Sequence, residues 1–312
     1  MQTILITGGT GMVGKAITSL LSKNGYHVII LTRDAKGKRS QKGITYAEWD
    51  VKAQQIDLSA VAAADHIIHL AGAGVVEKKW TKSYKEEIVD SRVNSSALLI
   101  KALREHPNKV QSIISASAIG WYGPDQPGKP AFTESDPPDH NFLGETCRLW
   151  EESVEPATAL GKRVVKLRIG IVLSNDGGAF AEFKKTLKFG ISSILGNGKQ
   201  IVSWIHIDDL CRIFMKALED QSMQGSYNAV APEPVSNEDL NLVLAKAVRK
   251  RKRFISMHVP SFVLKLMLGQ RSIEVLKSAA VSSKKIEATG FTFEYPDIES
   301  AIADLVEKKS RS

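Results

Sequence analysis

The sequence predicts an α/β fold, a doubly wound parallel sheet followed by a smaller mixed α/β lobe. Three observations carry this. Short apolar runs alternate with helical patterns through the first 120 residues. Those runs are continuously apolar rather than alternating, as parallel strands covered on both faces require. After Trp121 the rhythm loosens, and the last third does not repeat the first. Strands spaced by helices imply right-handed βαβ crossovers and a parallel sheet.

The elements follow in order. Thr3-Ile4-Leu5-Ile6-Thr7 is a first strand. A glycine-rich turn and an apolar helix through Leu20-Leu21 come next, closed by Gly25 as a C-terminal cap. His27 to Leu31 is a second strand, Ile44 to Ala47 a weaker third, and His66 to Leu70 a fourth. A long helix is expected over Lys82 to Arg104, then a fifth strand at Ser112 to Ser115. Gly123 to Asn141 holds five prolines and reads as a loop. A helix over Glu145 to Leu160 precedes a sixth strand, Val164 to Leu167. Beyond it, short strands (Ile201 to Ile205, Tyr227 to Val230) mix with helices at Asp208 to Leu218, Asn237 to Val248 and Ser261 to Leu268. The expected division is a nucleotide-binding domain over 1–170 and a substrate-side lobe over 171–312, with segments near 201–230 returning to the first.

Composition narrows the class. At about 150 residues per domain, 312 residues suit two domains. Hydrophobic residues at 43% and charged residues at 24% match ordinary globular proteins, against a mainly disordered chain. Two cysteines, Cys147 and Cys211, cannot form a disulfide framework or a four-cysteine zinc site. No apolar run approaches the roughly 18–20 residues a membrane span needs, and no signal-like leader is apparent, so a cytoplasmic protein is expected. The seven histidines show no ligand spacing, so no metal is expected. The net charge is +8. Its sharpest cluster, Arg249 to Arg253, follows a helical stretch and reads as a solvated helix end, where cations suit the dipole. No aromatic interleaving accompanies it, so nucleic acid is not expected as a partner.

The strongest motif is Thr7-Gly8-Gly9-Thr10-Gly11-Met12-Val13-Gly14. Glycines at 8, 11 and 14, between strand and helix, answer three needs. These are a tight turn, close backbone approach to a pyrophosphate, and close helix-on-strand packing. A Cβ at Gly11 would push phosphates off the helix N-terminus, whose free N–H groups attract them. The motif makes the sheet Rossmann-type. The end of the second strand selects the cofactor. An acidic residue there usually bonds a ribose 2′-OH, whereas arginine accommodates a 2′-phosphate. Here Thr32 and Arg33 stand at that point, and Arg33 can grip a phosphate with two donors. NADP(H) is therefore expected over NAD(H), although the neighbouring Asp34 leaves room for Arg33 as a plain surface residue.

The glycine spacing resembles extended short-chain dehydrogenases/reductases of the sugar-nucleotide-epimerase-like type. Further motifs narrow this: His69 to Gly72, Asp90-Ser91-Arg92, Ser115 to Gly123, Trp150-Glu151, Leu167 to Leu173, Ser203 to Leu210 and Tyr227 to Pro234. Together they resemble the atypical "epimerase family" group, some members of which carry a cell-division-inhibitor label. The resemblance implies NADP(H) binding and a group-specific C-terminal lobe. It further implies that Leu70-Ala71-Gly72 passes the ribose and phosphates, that Asp50 meets the adenine amino group, and that Ile169 lies near the nicotinamide.

Enzymes of this superfamily use Ser or Thr, Tyr, and a Lys four residues after the Tyr. The phenol exchanges a proton, with its pKa lowered by the cation. Ser117 matches the first position. The Tyr and Lys positions fall at Leu143 and Cys147, neither of which can substitute. The position often held by a catalytic Asn falls at Arg92, expected to meet a cofactor phosphate or a substrate anion. Tyr122, in the same strand-end loop as Ser117, is the candidate replacement for the missing phenol. His206, ahead of Asp208 and Asp209, reads either as an acid–base dyad or as a structural residue, and His69 as a core histidine. Two functions stay open. One is an NADP(H)-dependent oxidoreductase or epimerase with a non-standard proton donor and an unidentified small-molecule substrate. The other is a non-catalytic NADP(H)-dependent regulator or scaffold. A homodimer or a protein partner stays open with both.

Overall fold

Alternate residues of each central strand enter two different cores, which is why the strand runs are apolar throughout. The computed structural model describes residues 1–249 and 253–310. Its strands are β1 (Thr3–Thr7), β2 (His27–Thr32), β3 (Ile44–Asp50), β4 (Gln55–Ile56), β5 (His66–His69), β6 (Ser112–Ala118), β7 (Arg163–Ile169), β8 (Ile171–Leu173), β9 (Ile191–Leu195), β10 (Ile201–Val202), β11 (Trp204–His206), β12 (Gly225–Ala229), β13 (Val235–Ser236) and β14 (Ile255–Val259). Ile4, Ile6, Val28, Ile30, Ile68 and Ile114 pack on one face of the sheet, and Leu5, Ile29, Leu31, Ile67 and Ile113 on the other.

The main sheet runs β12-β7-β6-β5-β1-β2-β3-β4. All its pairings are parallel except that of β3 with the short edge strand β4. The chain leaves β1 toward β2 on one side and later places β5 on the other. The switch point therefore lies between β1 and β5, where open α/β sheets bind ligands beyond the carboxyl ends of the strands. Helix α1 (Met12–Lys23) covers one face and α3 (Lys82–Glu105) the other, with the short α2 (Leu58–Ala63) between them in sequence. The expected glycine cap of α1 is present: Tyr26 N–H reaches Leu21 C=O and Gly25 N–H reaches Ser22 C=O, with Gly25 at φ +81°.

Residues beyond 170 complete this sheet. β12 pairs with β7, and α6 (Ile207–Glu219) packs with α1 in the same core. A third core gathers Phe180, Trp204, Leu240, Leu244, Ile302 and Leu305, built mainly on α5 (Gly178–Leu187), α7 (Asn237–Arg249) and α11 (Ile298–Ser310). Of the remaining C-terminal helices, α8 (Ser261–Leu268), α9 (Ser272–Leu276) and α10 (Lys284–Glu287), the last sets Ile286 into the core of the main sheet. Of the basic run, Lys250, Arg251 and Lys252 lie outside the described residues.

Two elements differ from expectation for identifiable reasons. The helix expected over 145–160 is α4 (Phe142–Val154), which starts earlier because Asn141 accepts from Gly144 N–H at 2.8 Å. It tightens into a 3₁₀ segment at Glu155–Leu160, where Pro156 removes a backbone donor. The strand expected over 201–205 divides at Ser203. Its first part pairs antiparallel with β13 and its second parallel with β8, while Ser203 Oγ bonds Ala279 C=O and Val281 N–H.

The proline-rich loop is extended but held. Asp125 takes Ala280 N–H and Ser278 Oγ, and Phe132 exchanges backbone bonds with Ala280 and Ser282. Among the described residues no helix is long and apolar enough to cross a membrane.

Candidate active site

The turn between β1 and α1 is shaped by its glycines. Gly8 sits at φ +70°, and a Cβ there would lie 2.8 Å from the Leu70 carbonyl. A Cβ at Gly14 would come within 2.3 Å of Gly8 O. Gly11 differs: an added Cβ meets only Gly8 O, at 3.4 Å. Space therefore remains over Gly11, at the N-terminus of α1. No side chain caps that terminus, so its first N–H groups are left to a ligand. Thr10 is exposed, and Met12 and Val13 are half-buried. The residues present fit a dinucleotide pyrophosphate.

The facing loop is held by a hydrogen-bond chain. Thr7 Oγ1 accepts from Leu70 N–H (3.1 Å) and Ala71 N–H (3.2 Å), so its own proton goes to His69 Nδ1 at 2.7 Å. His69 Nε2–H then donates to Ser96 Oγ at 3.1 Å, which donates to Arg92 C=O. Burial, aided by the charge of Arg92, lowers the His69 pKa to about 3. His69 is thus a neutral core residue that fixes Leu70-Ala71-Gly72 beside Gly8.

At the end of β2, Thr32 is half-buried and Arg33 exposed. Asp34 turns away to accept from Gly37 N–H at 2.9 Å, closing its own turn. Asp50, at the end of β3, accepts Lys52 and Ala53 N–H on Oδ1. Ile169 ends β7, half-buried.

The two expected catalytic groups, Ser117 and Tyr122, both take part in one buried hydrogen-bond network. Ser117 Oγ donates to Glu151 Oε1 at 2.8 Å, and Glu151 also receives Arg168 Nε, Arg168 Nη2 and Ser226 Oγ. A carboxylate this deeply buried needs several donors, and Ser117 is one of them. Tyr122 is fully buried, stacks on Phe132, donates to Asn228 Oδ1 at 2.6 Å and accepts from Arg168 Nη1 at 3.0 Å. Burial pushes its pKa up to about 12, the opposite of what proton exchange needs.

The place left by the missing Tyr and Lys is lined by Leu143 and Cys147, both next to Gly120. Burial raises the Cys147 thiol to about 12, so it is not an activated nucleophile. Arg92 comes in from α3, stacks over the Trp150 ring at 4.7 Å and donates to Ala73 and Ile88 carbonyls. His206 serves as the cap of α6: Nδ1 accepts from Asp208 N–H at 3.1 Å, while Nε2 lies 3.3 Å from Asp304 Oδ2. His206, Asp208 and Asp304 could approach one cation. With Nδ1 accepting an amide proton, Nε2 carries the ring hydrogen and faces Asp304. Sequence reasoning missed the Glu151–Arg168 pair and Lys277. Glu151 and Arg168 stand in quoted motifs, whereas Lys277 carried no signal.

The NAD dependent epimerase/dehydratase description fits residues 4–230. The chain belongs to that family. Residues 259–305 match a domain of unknown function, DUF1731. An epimerase family protein of Staphylococcus saprophyticus is 36% identical over 307 residues, covering 98% of this chain and all of that one. The structure of human epimerase family protein SDR39U1 with NADPH superimposes with a TM-score of 0.83 at 27% identity, covering 98% and 99% of the two chains. A nucleoside-diphosphate sugar epimerase from Corynebacterium glutamicum gives 0.76 at 34% identity, over 98% of this chain and 58% of that one. Leu143 and Cys147 stand where the resemblance to short-chain dehydrogenases/reductases places the Tyr and Lys.

Proposed function

We propose that the chain binds NADP(H) and uses it to oxidise or reduce a carbon–oxygen centre of a small molecule, as an oxidoreductase or epimerase without the Tyr-x-x-x-Lys pair. The observation that carries this is the cradle at the switch point: a helix N-terminus with no cap, the open space over Gly11, and a facing loop held by Thr7 and His69. Gly8 to Gly14 would hold the pyrophosphate and Asp50 the adenine. Arg33, exposed at the end of β2, would hold the 2′-phosphate. The human relative solved with NADPH supports the same cofactor. Bound there, NADP(H) supplies a hydride donor or acceptor. Leu70 to Gly72 and Ile169 would border the cofactor, and Gly120, Leu143, Cys147 and Arg92 would form the substrate end. The Ser117 and Tyr122 hydroxyls serve the buried Glu151–Arg168 network, which argues for a proton donor other than these two.

A second reading has an observation of its own. With Leu143 and Cys147 in the acid–base positions, the chain binds NADP(H) as a regulator or scaffold without turnover.

Parallel titration with NADPH and NADH, followed by nicotinamide fluorescence, tests the cofactor. Wild type is expected to prefer NADPH, and R33A to lose about tenfold or more of that preference, roughly 1.4 kcal/mol. Equal affinities would remove the phosphate role of Arg33. NADPH consumption across a carbonyl panel separates the two functions: loss never exceeding the protein-free rate favours the regulator.

A further inference from the structure

Among the described residues, Arg92 forms no ion pair, yet it is almost wholly buried. Only two backbone carbonyls and the Trp150 ring meet its charge. A buried charge without a counter-ion is costly, and an arriving anion would lower that cost. The guanidinium lies directly under the loop that borders the cofactor, where a Cβ on Gly72 would come within 3.0 Å of Cζ. A second cation arrives from the other lobe. Lys277, following α9, has a side chain only 9% exposed and donates to Tyr122 C=O at 3.1 Å, two residues from Gly120. Both charges are close enough to Cys147 to pull against the upward shift of its thiol. Glu274 pairs with Lys277 at 2.6 Å, so these three groups keep one net positive charge. Leu143 and Cys147, the positions where the superfamily pattern places a phenol and a lysine, lie against Gly120, two residues before the carbonyl that Lys277 holds.

We propose that Arg92 and Lys277 together receive an anionic group of the substrate, a carboxylate or a phosphate, beside Gly120 and Cys147. This rests on the NADP(H)-dependent reading and specifies the substrate class for it. The position favours substrate over cofactor pyrophosphate. Arg92 is packed against α4 through Trp150, whereas the pyrophosphate cradle lies at the N-terminus of α1. The C-terminal lobe then has a defined part, since without Lys277 the receptor holds one cation.

The test titrates the full chain with benzoate, phenyl phosphate and neutral benzamide, with and without saturating NADPH, read by tryptophan fluorescence and ligand-observed NMR. At least one anion is expected to bind about tenfold or more tightly than benzamide, and which one binds separates carboxylate from phosphate. K277M should weaken that anion about tenfold while leaving NADPH affinity within about twofold, and R92M should weaken the anion about tenfold beyond any change in NADPH affinity. R92K, which keeps the charge but not the fork, should retain part of it. If R92M melts early, R92K and K277M carry the comparison. Equal binding of benzamide, no binding of either anion, an unchanged anion affinity in K277M, or a matching loss of NADPH affinity in the Arg92 variants overturns the proposal. Because the anions are also titrated without NADPH, a failure of cofactor binding is read separately and counts against the underlying function instead.

Discussion

Replacing Thr7 by valine isolates the hydrogen-bond chain that holds the cofactor-side loop. Thr7 is fully buried, and valine matches its shape without the hydroxyl. Leu70 N–H keeps a bond to Thr7 C=O at 3.2 Å, but Ala71 N–H and His69 Nδ1 lose the partner that Oγ1 supplied. Stranding a buried polar group costs about 1–3 kcal/mol, and Ala71 is only half-buried, so the expected loss is about 2–4 kcal/mol. For a chain of this size that lowers Tm by roughly 3–6 °C. T7S keeps the hydroxyl and loses one buried methyl, about 1 kcal/mol. Urea and thermal unfolding of the two variants give the comparison. The His69 ring should also take up a proton more readily in T7V, because the bond that favoured its neutral form is gone, and NMR of the ring reads this directly. NADPH affinity should fall with the loosened loop. A T7V protein no less stable than T7S, with an unmoved His69, would refute the reasoning.

Other expectations rest on separate features. G11A should fold with a stability within about 1 kcal/mol of wild type yet lose NADPH affinity, while G14A, driven into Gly8 O, should fail to accumulate as folded protein; circular dichroism and cofactor titration distinguish them. R168M strands the buried Glu151 carboxylate and should cost about 3–5 kcal/mol, with E151Q/R168M recovering part of it in urea melts. Stability should fall in acid through His69. Below about pH 6.5 the unfolded ring takes a proton while the folded ring, with its pKa near 3, does not, so unfolding is favoured as pH drops through that window. At pH 5 this one group removes about 2 kcal/mol relative to pH 7, and H69N should show a shallower pH dependence over the same range.

Much of the cofactor end was legible because the forces there are local. Gly8 and Gly14 are set by backbone clashes within one turn, and apolar runs without alternation can only be strands buried on both faces. The substrate end was not legible in that way. Ser117 stands at the motif position of a catalytic serine, and nothing near it in sequence tells that Glu151, on α4, takes its proton. Tyr122 stood out because it shares the strand-end loop with Ser117. In the structure, Asp125 and Phe132 tie that loop to residues 278–282, some 150 positions away, and seal the phenol against Asn228 and Arg168. The same closure brings Lys277 to Tyr122. By itself the sequence determined the parallel sheet and the phosphate-binding turn, since strand periodicity and glycine sterics act between chain neighbours. Only the tertiary structure decided which polar side chains are consumed as partners and which cations converge, because buried charges choose partners by proximity in space.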